Sequence, residues 1–201
     1  MSGRVLSMAL VVAALTTGGA EAQPAIATQD ATRHWVAGVD GGGSLLSLVT
    51  TGNATRTLTT QEGVYVGWRA ERWGLLIRAE HTLWRIAEGD RNRTQHALNL
   101  AAGLERFHSS GLLRFALYVG SSTLLRSNRL DDPGQTGFFL DLRPIGLFFD
   151  LRGRWRLGVD PLHFAIVAPT LSGVPLVEVQ FRSSVLLECR LGPRQPQREP
   201  T

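Results

Sequence analysis

The chain has 201 residues, 43% hydrophobic and 19% charged, with a formal net charge of +4, which suits one domain with a sizeable core. All 21 basic residues are Arg, and they are scattered among the acids rather than gathered into the stripe that a nucleic-acid surface requires; that class is excluded. The single cysteine, Cys189, excludes an intrachain disulfide and reads as a small buried apolar residue.

Residues 1–22 have the layout of a cleavable secretory signal. Arg4 opens it, Val5 to Leu15 is apolar, and small residues end at Ala20-Glu21-Ala22. Eleven apolar residues are too few for a membrane-spanning helix, which needs about 20. No later apolar run reaches helical spanning length, so any entry of the mature chain into a membrane has to be made by strands. Residues 23–32 form a short N-terminal segment.

From residue 33 the apolar period is two. Val64, Val66, Trp68 and Ala70 share one face, with Tyr65, Gly67, Arg69 and Glu71 on the other. Trp73, Leu75, Ile77, Ala79 and Leu83 follow the same rule, and so do Leu98 to Leu104, Leu113 to Val119 and Val177 to Leu187. The spacing predicts strands over 33–50, 58–70, 73–87, 94–107, 112–125, 136–150, 154–168 and 176–191. The expected fold is all-β, an antiparallel up-and-down barrel of eight strands over 33–191. Three interruptions read as bulges or corners: Asp40-Gly41-Gly42-Gly43, Pro144, and Asp160-Pro161. The glycine run is followed by strand rather than helix, which argues against a phosphate cradle. The two prolines leave a count of ten strands open.

The expected connections alternate in length. Thr51–Thr57, Glu88–Arg93, Arg126–Gln135 and Pro169–Pro175 are long; Glu71-Arg72, His108–Gly111 and Leu151–Gly153 are tight. Long outer loops and short periplasmic turns have this rhythm in outer-membrane barrels. Residues 192–201 are polar and Pro-rich and are expected to be a disordered tail.

Period-two alternation does not say which face is the lumen. A soluble lipocalin-like barrel turns its apolar face inward to hold an apolar ligand, whereas a membrane barrel turns it to lipid. The membrane arrangement is favoured by apolar faces nearly free of charge over long spans, with only His81 intruding between Trp73 and Leu83. Four of the five Trp (Trp35, Trp68, Trp73 and Trp155) also fall at the tight-turn end, where an aromatic girdle belongs. The opposite face carries Arg69, Glu71, Arg78, Glu80, Glu105, Arg114, Asp141, Arg143, Arg156, Glu178, Arg182 and Glu188, of mixed sign and so able to pair inside a narrow lumen.

In this pattern the sequence resembles the small eight-stranded outer-membrane β-barrels, the class of the OmpA membrane domain and OmpX. The stretches Gly137–Gly146, Leu157–Leu162 and Val174–Phe181 also resemble uncharacterised predicted outer-membrane proteins of Gram-negative bacteria. The resemblance implies an outer-membrane location. It implies outer-membrane lipids, the barrel-insertion machinery and periplasmic chaperones as partners, and a structural envelope or loop-mediated interaction role. The chain departs from the class in ending on Gly192 to Thr201 rather than on an aromatic residue of the last strand.

Motifs for chemistry are sparse. His108-Ser109-Ser110 is the nearest echo of the His, Ser and carboxylate of lipid A-modifying barrels, but turn chemistry explains it. His34, His81, His96, His108 and His163 show no metal-ligand spacing, although His81 and His96 are expected near one another. Asp131-Asp132-Pro133-Gly134 is a turn signal before it is a calcium site. No catalytic, cofactor or metal residue is assigned. The lumen, lined with bulky Arg, is expected to be plugged.

Overall fold

The computed structural model describes residues 33–49, 58–70, 72–88, 91–126, 134–151, 153–171 and 176–192. The expected signal segment, the Asp131-Asp132 turn and residues 193–201 lie outside them. Eight strands follow in chain order: β1 His34–Val49, β2 Leu58–Ala70, β3 Trp73–Glu88, β4 Arg91–Phe107, β5 Leu113–Arg126, β6 Thr136–Asp150, β7 Trp155–Thr170 and β8 Leu176–Leu191. Every neighbouring pair is antiparallel, and β1 pairs with β8, so the sheet closes into a barrel and has no free edge. The strand count is eight. Pro144 and Pro161 interrupt pairing without ending a strand.

Those interruptions are register shifts, as a residue without an amide hydrogen requires. Two shifts, Leu142/Ile145 and Ile145/Leu147, fall where β6 meets β7, and another falls between Asp160 and His163 where β7 meets β8. In β1 the glycine run itself pairs in regular register with both neighbours. The shift comes just after it, between Ser44 and Leu46 opposite β8.

One expected connection is corrected. Residues 88–93 do not form a long loop: β3 runs to Glu88, β4 starts at Arg91, and Glu88 pairs with Arg91. Gly89-Asp90 is a pair favoured by two-residue hairpins, so the strands extend outward where a loop had been expected. The alternation of connection lengths is therefore incomplete. Residues 50–57 and 127–135 separate strands widely, whereas 89–90 do not.

Away from the register shifts, side chains of the described residues alternate between the inside and the outside of the barrel. Val39, Val64, Val66, Leu75, Ile77, Leu100, Leu104, Phe115, Val119 and Val185 point outward and are exposed, Ile77 at 68%. The ten steps from Trp73 to Leu83 climb about 25 Å along the barrel axis, given a rise of about 3.4 Å per residue and a strand tilt near 40°. That matches the height of a hydrocarbon-facing band. The interior is the polar side: Arg78, Arg114, Arg143 and Arg182 are among the largest fully buried side chains. The charges face the lumen.

Candidate functional site

Each inward charge is placed by strand parity alone. Asp40 of β1 follows Val36 and Gly38 on the inner face, and Arg156, Gly158 and Asp160 do the same on β7. Burying one such group alone would be prohibitive, so the interior is built from partners.

The result is one continuous chain of alternating sign. Glu188 pairs with Arg69, which reaches Glu105 at 2.6 Å; Glu105 meets Arg114 at 2.5 Å. Arg114 grips both carboxylate oxygens of Asp160 at 2.7 Å, and Asp160 passes to Arg143 at 2.7 Å. Arg143 holds Asp141 at 2.9 Å and Asp40 at 3.1 Å. Both of these carboxylates also contact Arg78, at 2.9 and 2.6 Å, and Arg78 reaches Glu80 at 2.7 Å. Glu80 ends on Arg182 at 2.8 Å. All eight strands contribute at least one member.

Neutral groups take up further hydrogen-bonding capacity. Tyr65 donates to Glu188 and Tyr118 to Glu105, each at 3.1 Å. Thr82 and Asn99 each donate to Glu80 at 2.9 Å. His163 lies 2.7 Å from Asp141 through Nδ1 and 3.2 Å from Gln61 through Nε2. Aromatic faces cover the guanidinium planes: Arg69, Arg114 and Arg156 pack over Phe148 within 5.7 Å, and Arg78 and Arg143 over Tyr118 within 5.5 Å. Among the described residues, six buried Arg (69, 78, 114, 143, 156 and 182) face seven buried carboxylates (40, 80, 105, 141, 160, 178 and 188), so these groups are close to balanced in charge.

Of the residues named from sequence, Arg69, Arg78, Glu80, Glu105, Arg114, Asp141, Arg143, Arg182 and Glu188 lie on this chain. Arg156 and Glu178 lie off it. Arg156 sits toward the tight-turn end, 2.7 Å from Asp150, with a bond to the Gly111 carbonyl. Glu178 accepts from Thr59 at 3.4 Å. Sequence reasoning missed Asp40, Asp160 and His163. The first two had been absorbed into bulge motifs although parity already put them inside; His163 comes inside only through the shift at Pro161.

Trp35, Trp73 and Trp155 point outward and are about half exposed, and Trp68, half-buried, pairs directly with Trp35. All four lie at the end that carries the tight turns. Trp84 differs: it points inward and is buried. On the outer face His81 and His96 stack, with Nε2 to Nδ1 at 3.1 Å, and Glu62 lies 3.3 Å from His81.

One reading is corrected by this geometry. A lipocalin-like cavity for an apolar ligand is ruled out, because ion pairs fill the space such a ligand would occupy. His108-Ser109-Ser110 is a local turn: His108 Nδ1 accepts from the Ser110 amide at 3.4 Å, Ser109 Oγ lies 3.3 Å from it, and all three residues are exposed. Among the described residues no cluster of three or more His, Cys, Asp or Glu can hold a metal ion.

No protein-family model matches the sequence, and no curated protein matches it. The fold has solved counterparts. Neisserial surface protein A is similar over 80% of this chain and 99% of its own, at 10% identity and a TM-score of 0.56. Ail, the attachment invasion locus protein of Yersinia pestis, solved with the heparin analogue sucrose octasulfate, is similar over 79% of this chain and 99% of its own, at 12% identity and a TM-score of 0.47. The architecture is that of the small eight-stranded outer-membrane β-barrels.

Proposed function

We propose that the chain is an integral outer-membrane β-barrel with a plugged polar lumen, serving envelope structure or presenting its long connections to a partner. The observation that carries this reading is the inverted polarity: ion pairs inside, and outside an apolar band about 25 Å tall, interrupted by His81 and Glu62 toward the end away from the tight turns. In water such a surface would aggregate, since exposed apolar patches beyond a few hundred Å² are rare on soluble monomers. In a bilayer the closed sheet satisfies its backbone hydrogen bonds internally.

The four Trp at the tight-turn end then form the periplasmic girdle, and the opposite end of the barrel faces outward. Partners on this reading are the lipids of the outer membrane and, during biogenesis, the barrel-insertion machinery and periplasmic chaperones. The ion-paired chain acts as core rather than as a catalytic centre. Fractionation of cells expressing the full chain tests the assignment. The protein is expected in the membrane fraction, released only by detergent, with heat-modifiable gel migration; recovery in the soluble fraction would sink it.

A further inference from the structure

At the tight-turn end, arginines outnumber acids on the outer surface among the described residues. Arg33 precedes β1 and packs over the Trp68 ring at 5.9 Å; Arg106 of β4 packs over Trp73 at 5.1 Å. Arg72 lies in the turn between β2 and β3, and its carbonyl accepts from the Phe107 amide at 2.8 Å, which fixes it beside Arg106. All three are exposed. Among the described residues neither Arg33 nor Arg106 pairs with a carboxylate. Asp150 at the same end is already engaged by Arg156 at 2.7 Å and Arg190 at 2.8 Å. Glu71, the acid nearest in sequence, lies outside the described residues.

These cations therefore differ from those of the lumen, where every Arg on the chain meets carboxylates. Stacking on Trp holds the Arg33 and Arg106 guanidinium planes in place, and the apolar band begins next to them with Leu75 and Val66. An apolar surface that ends in guanidinium groups, two of them stacked on Trp and without a carboxylate partner among the described residues, has the complementary shape of a phospholipid. The acyl chains lie along the band, and the phosphodiester reaches the collar, where Arg makes bidentate contacts to phosphate oxygens. A zwitterionic headgroup brings an ammonium into the same positive field; an anionic one does not.

We infer that Arg33, Arg72 and Arg106, with Trp68 and Trp73, form a binding site for an anionic phospholipid of the leaflet at the tight-turn end. The inference rests on the membrane reading. The test is native mass spectrometry of the protein purified from membranes in dodecyl maltoside, titrated with phosphatidylglycerol or with phosphatidylcholine of the same acyl chains. Phosphatidylglycerol is expected to be retained preferentially. R33Q/R106Q is expected to lose that affinity about fivefold per arginine, as for a basic residue at an anionic membrane surface. R33K/R106K keeps the charge and retains part of it.

Heat-modifiable migration checks that each variant is folded. A folded, micelle-bound protein with no preference, or one whose preference survives R33Q/R106Q, overturns this inference alone. A preference for lipid A over phosphatidylglycerol also overturns it, by placing the collar in the opposite leaflet. A protein that stays soluble without detergent and takes up neither lipid overturns the membrane reading itself.

Discussion

Arg78 touches three carboxylates, those of Asp40, Glu80 and Asp141, and stacks on Tyr118. Removing it leaves three buried charges short of a partner, a larger loss than the attraction of any single pair. R78M is expected to destabilise the barrel by about 3–5 kcal/mol, read as a lowered urea midpoint of the detergent-folded protein. A shift below about 1 kcal/mol would mean that the ion-pair chain is not the core. Gly103 gives a second residue-scale test. A methyl group there would lie 2.2 Å from the Tyr118 ring, which covers this glycine. Gly103→Ala is expected to cost about 1–3 kcal/mol. In a Tyr118→Ala background the same change should cost little, and a double-mutant cycle measures the difference.

At the scale of the element, β3 carries both halves of the design on adjacent residues. Arg78 points into the lumen and is buried, whereas Ile77 points out at 68% exposure, about 10 Å along the axis from the Trp73 level. On a soluble barrel an exposed Ile→Arg change is harmless. Near the middle of a lipid-facing band it costs about 2–4 kcal/mol. Ile77→Arg is therefore expected to lower the stability of the liposome-folded protein by that amount, and an unchanged urea midpoint would contradict lipid contact at this position. The same alternation made the strand legible in the sequence, because a period of two over Trp73 to Leu83 admits no helical reading. The far ends were less legible. Arg91 to Arg93 are too polar to register as strand, yet pairing with Ala87 and Ile86 extends β4 through them.

For the molecule as a whole, the ion-pair chain crosses the lumen and ties all eight strands together. Its arginines fill the cross-section along with Tyr65, Tyr118, Phe107 and Phe148. An eight-stranded barrel leaves little more room than side chains occupy. In planar bilayers the purified protein is expected to show no stable porin-like open level, and liposomes containing it should remain impermeable to small sugars. Sustained conductance would show that the buried chain opens.

The sequence by itself determined the strands, their number to within the two proline interruptions, and the two faces of each, since those are local consequences of a period of two. It also held most members of the ion-pair chain by parity. It left open whether the charged face was lumen or solvent, because alternation is symmetric under exchange of inside and outside. Closure of β1 onto β8 broke that symmetry, for only a closed sheet has an interior, and its curvature put the charges there. Which carboxylate meets which arginine was likewise decided in three dimensions. Partners such as Arg69 and Glu188, or Arg143 and Asp40, are more than 100 positions apart along the chain and meet only across the closed barrel.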